Sequence, residues 1–537
     1  MAKNMSQGED LKVYGQKPTA PNKRKTKPET AKVSKADPAQ GEAKSSAPKG
    51  SGSRKSLFLE QETRDSRLES QNRSLYFLAG GFSCLFMGMV IFLLIFHMGK
   101  GDAIQNNPYN LRVRNQSANV VRGSILTSDG VVIAESNWNG ENEIRSYPGK
   151  NVYAHVAGYL SMGNSGAEKL CSYYLLQSHS GIEEKMKNEW LGEKMPGDSA
   201  VLSIDSGLQE LSYELLGENR GAIVAVEPST GRILAMVSKP DFDPNELDQL
   251  MSETAKKEDG EKESFLVNRV TNGMYPPGST FKILTSVAYI RMHPGYQDEV
   301  IYHCDGVFQT EDGPIRCAGG TIHGDIRLSG GFGMSCNGIY AEIGKEVDPR
   351  DFRTLAEGFG FNNVLTDEFP VSVSSFPLAN DADDFEKMQT AFGQGRTLVT
   401  PLQEAMIAAT VANGGVMMKP RYFDKVLSPS GKEVISFESE EYGRPISAWE
   451  AKWMTEMMKG CVNAGTGTEA AVEGIQVAGK TGSAQYGNGD ETHAVFVGFA
   501  PADDPKIAVC VYVEEGGSGG KVAAPIASKL FEEYLKN

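Results

Sequence analysis

A run of 24 uncharged, predominantly apolar residues at 75–98 limits what this chain of 537 residues can fold into more than any other feature. As a helix rising ~1.5 Å per residue it would be about 36 Å long, enough to cross the hydrocarbon core of a bilayer with some tilt. A signal peptide would begin nearer residue 1 and end in a small-residue cleavage site. A helix in a soluble core is rarely apolar on every face. The sequence therefore predicts one transmembrane helix over residues 75–98.

Charge is distributed unequally around this segment. Residues 1–74 contain 16 Lys and Arg against 9 Asp and Glu. Residues 1–56 are rich in Lys, Pro, Ser, Ala and Gly without a hydrophobic period, and residues 57–74 alternate charges in a way compatible with a helix. This composition predicts a disordered tail, and its positive charge places the N-terminus in the cytoplasm and everything after residue 98 outside. The remaining chain has 38 basic against 60 acidic residues. Such an acidic body argues against nucleic acid as a partner.

The periodicity beyond the apolar segment indicates two folded parts. Residues 99–215 combine a strand–turn–strand pattern at 120–134 with a helix at 205–216. From residue 221 we expect a hairpin at 221–238, a Gly/Cys-rich loop segment at 301–334, helices near 350–358, 400–414 and 447–462, strands at 477–485, 493–500 and 506–514, and a closing helix at 522–535. Strands at both ends with helices between them predict a mixed α/β (α+β) domain, in which a central antiparallel sheet pairs the chain ends around an inserted helical block. The expected regions are a tail (1–74), a transmembrane helix (75–98), a small extracytoplasmic module (99–215) and a larger domain (216–537).

The stretch at 274–286, MYPPGSTFKILTS, contains a candidate nucleophile. Pro276, Pro277 and Gly278 interrupt the preceding structure, and an apolar helical pattern follows. Ser279 is thereby expected at a helix N-terminus, where the dipole favours negative charge, with Lys282 one turn along. A hydroxyl in that position with an amine one turn away has the arrangement of a nucleophile and its base.

Two further polar groups could join Ser279. Ser335-Cys336-Asn337 lies in Gly-rich surroundings, and Lys480-Thr481-Gly482 lies on a predicted strand, where the glycine lets a ligand backbone approach the strand edge. Strict alternation would direct Lys480 and Thr481 to opposite faces. Both can therefore serve one site only if this strand is the edge of the sheet and borders the cleft.

Residues 474–481 also match the phosphate-binding pattern G-x-x-x-x-G-K-[ST]. That mechanism requires a helix directly after the loop, whose N-terminus cradles the phosphates. Here a strand and an Asn-Gly turn follow, and the segment lies outside the membrane. We reject the nucleotide-binding interpretation.

The order S-x-x-K, S-x-N, K-T-G is the signature of penicillin-binding proteins and class A β-lactamases. Together with YPPGSTFK, FGQG (392–395), AGTGT (464–468), AGKTGSAQ and VGFAP (497–501), it makes the chain resemble class B penicillin-binding proteins. NPYN (107–110), VRG (121–123) and HVAGY (155–159) resemble the penicillin-binding protein A type with a short N-terminal pedestal. The middle motif is Ser-Cys-Asn rather than Ser-Asp-Asn. The resemblance implies the serine β-lactamase/transpeptidase fold from about residue 105 to the end.

The resemblance implies a peptidoglycan D,D-transpeptidase. Ser279 would attack the penultimate D-Ala carbonyl of a stem peptide ending in D-Ala-D-Ala, and β-lactams would acylate the same hydroxyl. Lys282 would act as the base, which requires a neutral amine, and both burial and the charge of Lys480 would lower its pKa. Ser335 would relay the proton to the departing D-Ala, and Asn337 would position Lys282 and the substrate amide.

On the strand, the resemblance implies substrate-binding roles. Thr481, Gly482 and Ser483 would hold the donor, and the backbone N–H groups of Ser279 and Ser483 would form an oxyanion hole. His493 and Gln485 lie near the site in sequence, but we expect neither to be catalytic.

The resemblance implies no cofactor. It implies a SEDS-type polytopic glycosyltransferase as partner, contacted through the membrane helix and the 99–215 module. A hydrolase of the same fold (a carboxypeptidase or a β-lactamase) and a non-catalytic β-lactam sensor remain alternatives. The sequence does not distinguish elongation, division and sporulation.

The seven cysteines are too few and too scattered for a disulfide scaffold. None forms a Cys-x-x-Cys pair, which argues against a zinc site. Cys304 and Cys317 flank a turn-rich stretch, and the sequence fits a disulfide and two free thiols equally well.

Overall fold

The computed structural model describes residues 73, 75–96, 119–139, 142–254, 265–295, 298–299, 302–485 and 491–536. Residues 1–72 and 74 of the predicted tail (1–74), the NPYN motif and the Asn488-Gly489 turn lie outside the described residues. Leu75–Phe96 forms one helix of 22 residues with a mean hydropathy of 2.4, none of it buried by protein. It is long and apolar enough to cross a membrane, as the sequence predicts.

The strands of the described chain are short in the first part and longer at the C-terminus. They are β1 Val120–Val121, β2 Ile125–Leu126, β3 Val132–Trp138, β4 Glu143–Ser146, β5 Met195–Pro196, β6 Ser199–Leu202, β7 Gly221–Val226, β8 Ile233–Lys239, β9 Tyr302–Cys304, β10 Val307–Phe308, β11 Ile315–Arg316, β12 Gly324–Ile326, β13 Met417–Met418, β14 Phe423–Leu427, β15 Glu433–Ser436, β16 Glu441–Gly443, β17 Ala478–Gln485, β18 Thr492–Ala500 and β19 Ile507–Val513.

The helices that follow the membrane-spanning candidate fall mostly between β6 and β17. They are Ala154–Ala157, Gly166–Leu170, Ser172–Leu175, Ile182–Leu191, Ser206–Leu216, Leu247–Thr254, Arg269–Asn272, Lys282–Met292, Leu328–Gly333, Asn337–Glu346, Pro349–Gly358, Asp384–Ala391, Pro401–Ala412, Ala448–Ala464 and Ala523–Lys536. Single 3₁₀ turns cover Lys150–Tyr153, Ser161–Gly163, Gly278–Phe281, Ala318–Gly320 and Thr468–Ala470.

A five-stranded antiparallel sheet in the order β17-β18-β19-β7-β8 organises the larger part of the chain. The hairpin β7–β8 pairs with β19, so the two ends of this part meet in one sheet, as the sequence predicts. Alternate residues of β7 enter two separate cores: Val224 faces the cluster that contains Leu402, and Ile223 faces the cluster that contains Phe531. Because helices cover both faces, the strands β7, β8, β18 and β19 are mostly continuous apolar runs. Strand β17 is the edge of the sheet, which confirms that prediction.

A second, six-stranded sheet has the order β15-β14-β6-β2-β3-β4. The antiparallel pairing of β2 with β3 confirms the predicted strand–turn–strand pattern. Strand β6 pairs with β2 on one side and with β14 on the other, so residues 423–436 complete a sheet begun at residue 125. Beside this sheet, the buried carboxylate of Glu168 binds Arg122 at 2.7 Å and Arg145 at 2.6 Å.

The segment at 301–334, expected as loop, differs from the prediction. It contains two small antiparallel pairs, β9 with β12 and β10 with β11, followed by the helix Leu328–Gly333. Strands of two or three residues in a Gly-rich stretch are too short to show a hydrophobic periodicity. Whether such residues form strands depends on their pairing in the folded chain.

Candidate active site

Ser279 lies in the 3₁₀ turn Gly278–Phe281, which continues directly into the helix Lys282–Met292. Gly278 has a φ of +59°, and a Cβ atom there would lie 3.1 Å from the Cα of Ala484 on β17. The N–H of Gly278 donates to the carbonyl of Gly393 at 2.9 Å, so a backbone hydrogen bond joins the turn to the FGQG loop. Glycine at position 278 therefore lets the turn press closely against the edge strand.

The side chain of Lys282 is fully buried and meets four oxygens. Its Nζ lies 3.1 Å from Ser279 Oγ, 2.9 Å from the carbonyl of Ser335, 3.2 Å from Ser335 Oγ and 2.8 Å from Asn337 Oδ1. The amide of Asn337 is oriented by its Nδ2, which donates to the carbonyl of Arg316 at 2.8 Å. The structure thus brings the first two predicted motifs together around one amine.

The hydrogen-bond partners of Lys282 are compatible with a neutral amine. The carbonyl of Ser335 and Oδ1 of Asn337 can only accept, so each takes one N–H. A neutral amine has two N–H bonds and one lone pair, and the lone pair is then left for a serine hydroxyl. Burial, and after it the positive charge of Lys480, holds the pKa of Lys282 well below its ordinary value. This direction and both causes agree with the sequence prediction.

Ser335 Oγ lies between two amines. Lys480 Nζ is 3.0 Å from this oxygen and also donates to the carbonyl of Thr481 at 2.9 Å. Ser335 has a φ of +58°, an uncommon conformation for a residue with a side chain. The left-handed backbone turns the hydroxyl toward both lysines while its own carbonyl binds Lys282. Burial lowers the pKa of Lys480 as well.

The edge strand β17 supplies the third predicted motif. Thr481 is buried and its hydroxyl meets that of Thr466, while Ser483 is exposed and its Oγ accepts from the N–H of Gly519 at 3.5 Å. A Cβ at Gly482 would lie 3.3 Å from the carbonyl of Pro277, next to the nucleophile turn. The eight predicted site residues therefore lie on the nucleophile turn, on the Ser335–Asn337 segment and on the edge strand, and these three parts of the chain contact one another.

Sequence reasoning missed two polar residues of this region. Thr466 belongs to the AGTGT motif, but nothing in its spacing indicated a contact with Thr481. Glu404 is buried beneath the nucleophile turn, where burial raises its pKa to about 8. Its Oε1 and the carbonyl of Pro277 both lie 2.7 Å from the hydroxyl of Thr280. The available signal was a lone acidic residue within the apolar helix Pro401–Ala412.

His493 contacts the backbone of a neighbouring loop and an aromatic ring, which is consistent with a structural role. Its Nδ1 accepts from the N–H of Glu515 at 3.1 Å, and its ring packs edge-on against Tyr275. The hydroxyl of Tyr275 in turn donates to Glu514 at 2.6 Å, which anchors the chain leading to the nucleophile turn.

Two family models and several relatives match this chain. The family model of the penicillin-binding protein transpeptidase domain matches residues 221–532, and that of the penicillin-binding protein A dimerisation domain matches residues 122–199. The peptidoglycan D,D-transpeptidase PbpA of Mycolicibacterium smegmatis is 30% identical over 460 residues, which cover 81% of this chain and 93% of the relative.

Two solved structures share the fold. Penicillin-binding protein A from M. tuberculosis, in an imipenem acyl-enzyme complex, is 28% identical with a TM-score of 0.71, covering 78% of this chain and 99% of that one. The D,D-transpeptidase domain of a peptidoglycan glycosyltransferase from Eggerthella lenta is 29% identical with a TM-score of 0.69, covering 78% and 99%. With the transpeptidase model spanning residues 221–532, the chain belongs to the penicillin-binding protein family.

Proposed function

We propose that this chain is a membrane-anchored peptidoglycan D,D-transpeptidase that cross-links stem peptides through an acyl-serine intermediate and is acylated by β-lactams at the same serine. One observation carries the proposal: the buried amine of Lys282 lies 3.1 Å from Ser279 Oγ while two acceptor-only oxygens take up its N–H groups. A lone pair directed at a hydroxyl is what a general base requires.

In the acylation step, Ser279 Oγ attacks the carbonyl carbon of the penultimate D-Ala and Lys282 takes the hydroxyl proton. The oxygen of the tetrahedral intermediate is stabilised by the backbone N–H groups of Ser279 and Ser483, whose chain segments pack together through Gly278 and Ala484. The C–N bond to the terminal D-Ala then breaks. Its nitrogen receives a proton through Ser335, whose hydroxyl lies within 3.2 Å of Lys282 and 3.0 Å of Lys480.

In the second step, an amine from a neighbouring stem peptide attacks the acyl carbon and Ser279 regains its proton. The strand β17 aligns the donor: Thr481 and Ser483 bind its carboxylate, and Gly482 leaves room for its backbone. Asn337 holds Lys282 and faces the substrate amide. A β-lactam would acylate Ser279 by the same first step, but its leaving nitrogen stays covalently attached to the acyl group through the opened ring.

We also propose that residues 99–215 form a pedestal and residues 216–537 the transpeptidase domain, with β14 and β15 contributing to the pedestal sheet. Two family models support this division, because one ends at residue 199 and the other begins at residue 221. The apolar helix Leu75–Phe96 anchors the protein once in the cell membrane, with the basic N-terminal residues in the cytoplasm and the catalytic domain outside.

Labelling of the full-length chain with a fluorescent penicillin tests the function. We expect a covalent label that is lost slowly in wild-type protein and is absent from Ser279→Ala, with Ser436→Ala, at an exposed serine of β15, as a control that still labels. Lack of label in wild type would refute the acyl-serine mechanism. Rapid loss of label would favour a β-lactamase, and release of free D-Ala without cross-linked product would favour a carboxypeptidase. Slow loss of label with neither D-Ala release nor cross-linking would favour a sensor.

The proposed partner is a SEDS-type polytopic glycosyltransferase. Support comes from the helix Ile182–Leu191 of the pedestal, where Ile182, Met186 and Trp190 are 80%, 66% and 86% exposed and form an apolar stripe four residues apart. Exchange of the membrane helix for a polyleucine helix, combined with Ile182→Ser and Trp190→Ser, is expected to abolish co-purification. The matched control is Lys187→Ser on the same helix but outside this stripe, and co-purification that survives the combined exchange contradicts this partner site.

A further inference from the structure

Four soft ligands converge beside the catalytic residues. They come from the end of β9, the residue after β11, the residue before β12, and the N-cap of the helix Asn337–Glu346: Cys304, Cys317, His323 and Cys336. One ligand atom from each residue lies within 4.8 Å of all the others. The three thiols are buried and the imidazole is half-buried. We refer to these four side chains as the thiol cluster.

The distances within the thiol cluster fit one tetrahedral metal ion. Cys317 Sγ lies 3.7 Å from Cys304 Sγ and 3.7 Å from Cys336 Sγ, and Cys304 Sγ lies 3.3 Å from His323 Nδ1. Zinc–sulfur bonds of ~2.3 Å at tetrahedral angles place neighbouring sulfurs about 3.8 Å apart. The ligand set of three cysteines and one histidine is one of the usual compositions of closed structural zinc sites.

We propose that the thiol cluster binds one zinc ion as a structural site. Its four protein ligands leave no position for water, so the ion has no catalytic role of its own. The N–H of Gly306 points at Cys304 Sγ at 3.4 Å, and a hydrogen bond of this kind orients a metal-bound thiolate. The strands around the cluster are only two or three residues long, and a metal would hold these short segments together.

The site also bears on the catalytic residues. Cys336 is the central residue of the Ser335-Cys336-Asn337 motif, and Cys317 follows Arg316, whose carbonyl binds the amide of Asn337 at 2.8 Å. A metal that joins Cys317 to Cys336 would fix the donor and the acceptor of this hydrogen bond relative to each other. The zinc site itself does not rest on the proposed function.

The prediction against a zinc site assumed closely spaced pairs such as Cys-x-x-Cys. In this fold the ligands are separated by 13, 6 and 13 positions, because each pair of short strands returns the chain to the same point. The disulfide that the sequence left open between Cys304 and Cys317 is the competing state. Both are free thiols in this structure, with the sulfur atoms 3.7 Å apart.

The test measures metal directly on full-length protein purified in detergent without a polyhistidine tag or chelators. Mass spectrometry of the metal content is expected to give about one zinc per chain. The double variant Cys317→Ser/His323→Asn is expected to lose at least 80% of it. Cys171→Ser, which removes a buried thiol of the pedestal, should retain it in full.

A second measurement needs no variant. Titration of wild-type protein with an organomercurial should release zinc to a chromogenic chelator in step with thiol modification. A separate sample that has not met the mercurial, denatured without reductant, should show all seven cysteines as free thiols. Wild-type protein without zinc, zinc that persists in the folded double variant, or a count of five free thiols would overturn the proposal. The last result would establish the disulfide instead.

Discussion

Lys282 Nζ lies 2.8 Å from Oδ1 of Asn337, an oxygen that can only accept a hydrogen bond. The opposite end of the same amide donates to a backbone carbonyl, so the amide cannot flip without losing both bonds. This pairing takes one N–H of the amine and directs the remaining lone pair toward the hydroxyls. Because Lys282 is fully buried, the neutral amine also avoids the cost of placing a charge out of reach of water.

Asn337→Asp should slow acylation strongly. The new carboxylate has nearly the shape of the amide, but its negative charge would favour the ammonium form of Lys282 and raise the pKa of the base. Because a general base contributes 10²–10⁴-fold to a rate, we expect the acylation rate with a fluorescent penicillin to fall about 100-fold at neutral pH. The loss should shrink as pH rises. A rate that is unchanged at neutral pH would contradict the role given to Lys282.

Acylation by the wild-type protein should be lost on acidification. The pKa of Lys282 is lowered by burial and by Lys480, so the amine is neutral at pH values where an ordinary lysine is charged, and it becomes protonated as pH falls through that lowered pKa. Lys480→Gln removes one of the two causes and should shift the acid limb of the rate profile to higher pH. The profile of log rate against pH measures the shift. A limb that stays in place, or moves to lower pH, would contradict the electrostatic coupling of the two lysines.

Elements of the fold and the site could be predicted from the sequence where the order of motifs or a long hydrophobic pattern identifies them. The strands that end at Ala500 and Val513 show clear apolar runs. The edge position of the strand that carries Lys480 was predicted from side-chain alternation, because only an edge strand could bring Lys480 and Thr481 to one site. Side-chain contacts between residues far apart in the sequence could not be predicted in this way. Thr466 meets Thr481 only because a helix end packs against β17, and Glu404 reaches Thr280 from another helix. A sequence offers no distance between such residues, so their roles required the structure.

Loss of the proposed zinc should weaken catalysis indirectly. In Cys317→Ser/His323→Asn the carbonyl of Arg316 is no longer held against Asn337, and Lys282 loses a fixed partner. Changes around a metal site typically cost 10–100-fold, and we expect the acylation rate to fall at least about ten-fold. Cys171→Ser is the control and should acylate at the wild-type rate. A double variant that lacks zinc but acylates normally would show that the metal does not support the active site.

Glu404 should make the protein less stable as pH rises. Its carboxyl is fully buried with a pKa raised from 4.5 to about 8, so the neutral form is the one that suits the folded state. The hydroxyl of Thr280 has a single hydrogen for two oxygens at 2.7 Å, and a protonated Glu404 resolves this by donating its own.

The sign of the effect follows from the two pKa values. A pKa raised on folding gives a contribution to stability that is complete below the unfolded value of 4.5 and disappears as pH rises through about 8. Because a tenfold change in proton affinity corresponds to about 1.4 kcal/mol, the contribution amounts to several kcal/mol. Glu404→Gln keeps a donor for Thr280 but has no proton to lose. The unfolding free energy of wild type minus that of Glu404→Gln, measured in denaturant at pH 5.5 and pH 8.5, should therefore decrease with pH, whereas a difference that is constant or increases would mean that Glu404 is ionised in the folded protein.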